Sequence, residues 1–195
     1  MTASGAAAAP AGSAGRRPLI DHGAIVAGWV GVGMAVTVGV SFLLVIPIEP
    51  IYWLLAPLCG LLIGYYANQR SLTPPRAWRR TLVDALYAGL LTGLTLALLL
   101  LVVKALFFYA DNGFGGGTSG AALSCQTGPD CVYARYLAAG RGPALEAAGV
   151  TDVGSFGALY WQQQLATAGL LLAMSTGGAI LGGVVYGLTR PKPGG

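Results

Sequence analysis

The chain has 195 residues, 55% of them hydrophobic and only 9% charged, roughly a third of the charged share of about 25% in an ordinary soluble domain. Its formal charge of +4 is spread over several loops, not gathered into the basic face that nucleic-acid binding requires. These figures exclude a nucleic-acid-binding domain and a separate soluble enzyme domain.

Four stretches carry no charged residue: His22 to Ile48, Pro50 to Gln69, Ala85 to Val103 and Val153 to Thr189. Crossing the apolar core of a bilayer takes about 20 mostly apolar residues. The expected fold class is therefore all-α, an integral membrane protein. It has four transmembrane helices in two hairpins and one longer external loop carrying short helices.

Residues 1–20 begin as Ala, Gly, Ser and Pro almost throughout and are expected to be a disordered cytoplasmic tail. Arg16-Arg17-Pro18-Leu19-Ile20 is similar to a twin-arginine export signal. The apolar run behind it, however, far exceeds the roughly 7–15 residues of a signal, so the arginines read as the flank of an uncleaved span. The first three spans fall within residues 21–110. The first is expected over 24–46, with Asp21 placed to cap its first amides. Pro47-Ile48-Glu49-Pro50 makes a tight turn, because two prolines cannot continue a helix. The second span is expected over 51–67, with Pro57 inside it. The third is expected over 82–109, with Asp84 in its first turn and a leucine-rich middle (Leu96, Leu98 to Leu101) facing lipid.

Residues 111–159 form the expected external loop. It opens with a glycine- and serine-rich part, followed by Cys125 and Cys131. A short helix over 132–139 and a second opening at Gly142-Pro143 complete it. The fourth span is expected over 160–189, and 190–195 is a second cytoplasmic tail.

Arginine sets the orientation. Arg16 and Arg17 precede the first span, Arg70, Arg76, Arg79 and Arg80 join the second to the third, and Arg190 and Lys192 follow the fourth. Positive charge in short loops stays cytoplasmic, so both termini are expected inside and the loop 111–159 outside, in a multi-pass protein of the cell membrane. Tyr52, Trp53, Phe107, Phe108, Tyr109, Tyr160 and Trp161 read as the outer interfacial belt, with Tyr65, Tyr66, Trp78, Tyr87 and Tyr186 at the inner one.

Small residues recur at helical spacing. Ala27, Gly31, Ala35 and Gly39 make one row, and Ser175, Ala179, Gly183 and Gly187 another, with Gly178 and Gly182 beside it. Such rows let two backbones approach closely, and the first and fourth spans are expected to pair through them within the chain, with an intermolecular contact as the alternative. Gly60 and Gly64 occupy a position in the second span comparable to Gly178 and Gly182 in the fourth.

Candidates for chemistry are few. Cys125 and Cys131 read as a structural disulfide in an oxidising compartment. The rival is a redox pair, as in small four-helix enzymes that pass electrons from thiols to a quinone, which these external cysteines resemble. Here no C-x-x-C and no second external pair is present. Cys59 reads as a packing residue. Asp84 and Lys104 are the ionisable residues of the spans, the first explained by the start of its helix and the second by snorkelling. His22, the one histidine, cannot build a haem or zinc site alone. Gln162, Gln163 and Gln164 open the fourth span. Thr92, Thr95, Thr167, Ser175 and Thr176 are expected to bond across helices. No catalytic residue, cofactor site or metal site is expected. The short first and long cysteine-bearing second loop resemble those of animal tetraspanins, without their adjacent-cysteine and glycine signature.

The expected role is non-enzymatic: an accessory subunit or scaffold of a membrane complex, with the lipid bilayer and a larger or homo-oligomeric assembly as partners. The alternatives are a small oligomeric transporter or channel, and a thiol–quinone oxidoreductase.

Overall fold

The structure, a computed structural model, describes residues 20–45, 49–71, 78–110 and 128–189. The tails expected over 1–20 and 190–195, apart from Ile20, lie outside the described residues, as do Cys125 and the glycine-rich part of the loop. Among the described residues, six α-helices follow in order: α1 (His22–Gly39), α2 (Glu49–Gln69), α3 (Trp78–Ala110), α4 (Pro129–Ala138), α5 (Gly142–Ala147) and α6 (Val153–Thr189). A π-helical turn, Val40–Val45, extends α1. Helices α1, α2, α3 and α6 are long and apolar enough to cross a membrane.

Local chemistry accounts for the ends. Asp21 caps α1 as expected, its Oδ1 accepting the His22 N–H at 2.8 Å. The start of α6 differs from expectation by seven residues, at Val153 instead of 160. Asp152 and Ser155 form a reciprocal cap: the Ser155 N–H donates to Asp152 Oδ1 at 2.7 Å and the Asp152 N–H to Ser155 Oγ at 3.1 Å. These bonds satisfy amides that a helix start leaves open; the Ser155 N–H, with the Ser155 hydroxyl donating to the same Oδ1 at 3.0 Å, holds the Asp152 carboxyl below the usual carboxylate range. The 37 residues of α6 measure about 55 Å at 1.5 Å per residue, longer than an apolar core about 30 Å thick. Helix α3 likewise starts at Trp78, not 82, so Asp84 lies in its second turn.

Helices α4 and α5 both end in a left-handed glycine, Gly140 and Gly149. After α5, the Val150 N–H reaches Leu145 O and the Gly149 N–H reaches Glu146 O, each at 2.9 Å. This is the Schellman closure, and Leu145 and Val150 make the apolar contact that accompanies it. The two helices borrow their core from the long ones. Phe108 of α3 and Phe156 and Tyr160 of α6 are buried with Leu145 and Val150, the Phe108 and Tyr160 rings stacking at 4.6 Å. Phe108 and Tyr160 are thus core residues and not part of an interfacial belt. Tyr52 is too, with its hydroxyl donating to Leu96 O at 2.8 Å.

The bundle has a rhombic cross-section. Helices α2 and α3 touch each other and both touch α1 and α6, while α1 and α6 share no extensive contact. The expected pairing of the first and fourth spans is therefore wrong. The row Ala27, Gly31, Ala35, Gly39 faces α3 and α2 instead: Gly28 sits against Leu91, Gly31 against Thr92 and Ile63, and Gly39 against Leu99. Rows on α6 divide between two partners. Gly178 and Gly182 lie on the carbonyls of Pro57 and Leu61 of α2, and Gly60 and Gly64 lie on those of Ser175 and Ala179. Gly183 meets Ala85 and Gly187 meets Trp78, both on α3. Two small-xxx-small motifs interlock backbone to backbone, which only residues without a side chain permit.

The leucine-rich middle of α3 also divides. Leu98 is 52% exposed, whereas Leu96 and Leu100 are buried at 1% and 4%, and Leu99 covers Gly39. Exposure follows Leu90, Leu94, Leu98, Val102 and Leu106 at every fourth position, one stripe of the helix surface.

Candidate functional site

Two places gather polar side chains inside the bundle, one at each end. At the end where α1 begins, Asn68, Thr81 and Asp84 are buried together with apolar neighbours. Asp84 is fully buried, and its Oδ1 accepts the Asp21 N–H at 3.1 Å. It therefore ties the start of α1 to α3, a role distinct from the helix-start electrostatics expected of it. Asn68 Nδ2 donates to Gly64 O at 2.9 Å and to Thr81 O at 3.2 Å. Both partners are acceptors, which fixes the amide with its nitrogen toward them. Asn68 Oδ1 is buried with no hydrogen-bond donor among the described residues. Sequence reasoning passed over Asn68, although an amide four residues after Gly64 on a helix start–stop boundary was the available signal.

At the other end, a cavity of about 120 Å³ lies where all four long helices converge. Leu43 of the π-helical turn, Tyr52 of α2, Leu100 of α3 and Leu171 of α6 line it and are buried. Trp53, Lys104, Gln164 and Thr167 line it and are half-exposed. It thus has an apolar floor and a polar rim. The Thr167 hydroxyl donates to Gln163 O at 2.8 Å, leaving its oxygen to accept. Lys104 and Gln164, separate in the sequence, are brought to one site; Asp84 is remote from it, in the layer at the opposite end. A second hollow of about 180 Å³ sits under α4 and α5, between Tyr136, Arg141, Leu145, Phe156, Tyr160 and Gln163. The Arg141 guanidinium lies 5.1 Å over the Tyr136 ring.

The hydroxyls expected to bond across helices do not. Thr92 donates to Ala88 O, Thr95 to Leu91 O and Thr167 to Gln163 O, each four residues back in its own helix. A carbonyl at that spacing is always in reach of a short hydroxyl, whereas one on a partner helix is in reach only where packing brings it there. Ser175 Oγ and Thr176 Oγ1 are buried with no partner among the described residues.

Cys59 is buried and free in α2. Cys131 is buried in the first turn of α4, and Cys125 lies outside the described residues. Among the described residues no three His, Cys, Asp or Glu side chains gather as a metal site would. No protein-family model, curated protein or solved structure matches this chain.

Proposed function

We propose that this chain is a non-enzymatic multi-pass membrane protein that assembles with other membrane helices, as an accessory subunit or as a scaffold of its own copies. The observation that supports this is a row left over on the outside of α6. Gly169, Ala173 and Gly177 recur every fourth residue and are exposed, and a side chain built on Gly169 or Gly177 meets nothing. Inside the bundle the same pattern is covered by another backbone, and in lipid small-residue rows of this kind drive helix association. Purification in mild detergent tests it: the full chain should run larger than a monomer, or carry a partner. Gly177→Leu should release that partner while leaving the helical circular dichroism spectrum of the chain unchanged. A monomer that retains nothing would overturn the reading.

The burial of Asp84 supports a second reading, a small transporter or channel, since ionisable residues in membrane helices mark substrate and ion paths. Proteoliposome flux that Asp84→Asn abolishes would favour it over the first.

The proposed orientation places both termini in the cytoplasm and residues 111–159 outside. Single cysteines at Gln69 and Ala147, both exposed, in a background lacking the native three, test it with an impermeant thiol reagent on intact cells. Labelling is expected at 147 and not at 69, and the reverse would overturn the arginine argument. Residues 111–159 are further proposed to carry a Cys125–Cys131 disulfide. A loop this short gains less than the roughly 3 kcal/mol of a 15-residue loop, so its work would be to fix how the chain enters α4. Non-reducing mass spectrometry should show the linked peptide, and two alkylated thiols would refute it.

A further inference from the structure

The hollow under α4 and α5 is shaped by the turn between them. Gly140, left-handed at φ +75°, follows α4 and folds the chain back, so that the Arg141 N–H reaches Tyr136 O at 3.1 Å. That turn sets the Arg141 guanidinium 5.1 Å over the Tyr136 ring, at the mouth of the hollow. The floor is apolar: Leu145, Phe156 and the Tyr160 ring line it and are buried. The Tyr136 ring meets that of Phe156 edge-on at 5.0 Å, so three aromatic rings wall the space. Arg141 and Gln163 line the exposed rim, and among the described residues no carboxylate side chain does. Nor does the guanidinium make a hydrogen bond or ion pair among the described residues; the Tyr136 ring is what it rests on. A ring face attracts a cation without cancelling its charge. A guanidinium has five N–H donors in a planar fork, so one turned to the ring leaves others for an acceptor.

We propose that this hollow binds a small aromatic carboxylate, its ring against the floor and its carboxylate on Arg141. The sign follows from the rim. A cation there would face Arg141, and a neutral polar group would forgo the charge-assisted, two-bond grip that a guanidinium gives a carboxylate. The apolar body follows from the floor, since a naked inorganic anion would leave the apolar walls unfilled and lose its own hydration. That the body is aromatic follows from the three rings, whose faces and edges pair with another ring in a way that an alkyl chain cannot match. Size follows from the volume: about 180 Å³ exceeds the roughly 150 Å³ of an apolar cavity that takes up a benzene. A largely apolar pocket with a few converging polar groups is the usual form of a small-molecule site. The inference stands apart from whether the chain assembles with others.

Calorimetric titration of the full chain in detergent with benzoate tests it, alongside benzamide, hexanoate and inorganic phosphate. Benzoate should bind saturably and raise the melting temperature, as a ligand of the folded state must. Benzamide should bind at least tenfold more weakly, hexanoate severalfold more weakly and phosphate not measurably. Arg141→Gln should weaken benzoate at least tenfold, and Arg141→Lys, which keeps the charge and loses the fork, severalfold. Because Arg141 also rests on Tyr136, a second variant leaves it in place: Ala148→Phe, at an exposed position on the lining, fills the hollow and removes no polar group. It should abolish binding while the helical circular dichroism spectrum is kept. The fluorine resonance of 4-fluorobenzoate should shift in the presence of the natural chain and not of Ala148→Phe, which locates the ligand in the hollow. Equal affinity for benzoate and benzamide, hexanoate binding as tightly as benzoate, phosphate binding in its place, no saturable heat, or benzoate binding untouched by Ala148→Phe would each overturn the proposal.

Discussion

Replacing Gly64 with leucine is expected to lower the melting temperature in detergent by about 6–12 °C or to prevent folding altogether. A Cβ at this position would overlap the Ala179 carbonyl, and one at Gly60 the Ser175 carbonyl. Both are backbone atoms of α6, so nothing can rotate aside, and α2 and α6 would have to separate along their length. Overpacking a well-packed site costs roughly 1–3 kcal/mol where side chains yield, and a backbone that cannot yield places this change at or above about 3 kcal/mol. At about 2–4 °C per kcal/mol for a chain of 150–250 residues, that gives the expected fall. Gly182→Leu, against the Leu61 carbonyl, should match it. Gly169→Leu, facing open space, should stay within the roughly 0.5 kcal/mol of an ordinary surface change. Circular dichroism melts of the three variants read the difference. Equal tolerance of Gly64→Leu and Gly169→Leu would mean that α2 and α6 do not interlock.

Asn68→Asp is the second change expected to be severe, although it alters one atom. Asn68 Nδ2 gives its two hydrogens to two carbonyls, at Gly64 and Thr81. An ionised aspartate puts oxygen against both, and a protonated one has a single hydrogen for the pair. The residue is fully buried, and a buried charge or unpaired polar group there costs several kcal/mol. We expect a loss of about 3 kcal/mol or more, read as a lower melting temperature and faster trypsin cleavage. Asn68→Ala should cost less. It forfeits one bond within α2 and one to α3, the latter worth about 0.6 kcal/mol, the usual value between membrane helices, and it also removes the Oδ1 oxygen that has no donor among the described residues. An Asn68→Asp protein as stable as the alanine variant would show that the amide is not held as described.

By itself the sequence determined that the chain is helical and that four of its helices are long and apolar enough to cross a membrane. That property is local: it depends on the length of an uncharged run, and each run can be measured without knowing its neighbours. The cap at Asp21 was legible for the same reason, and the pair Asp152 and Ser155 would have been, since a cap is written within four residues. What only the tertiary structure decided is which rows of small residues meet. The rows on α1 and α6 look complementary on paper, yet α2 and α3 stand between them, because helix order around a bundle is not encoded in any one helix. The glycines of α2 looked merely comparable in position to those of α6, and they are the surface that α6 rests on. Likewise Lys104 and Gln164 acquire a shared cavity, and Asp84 a partner in the Asp21 N–H, only when residues about sixty positions apart are packed side by side. Burial makes a polar residue consequential, and burial is a property of the assembled bundle, not of the strand of residues that enters it.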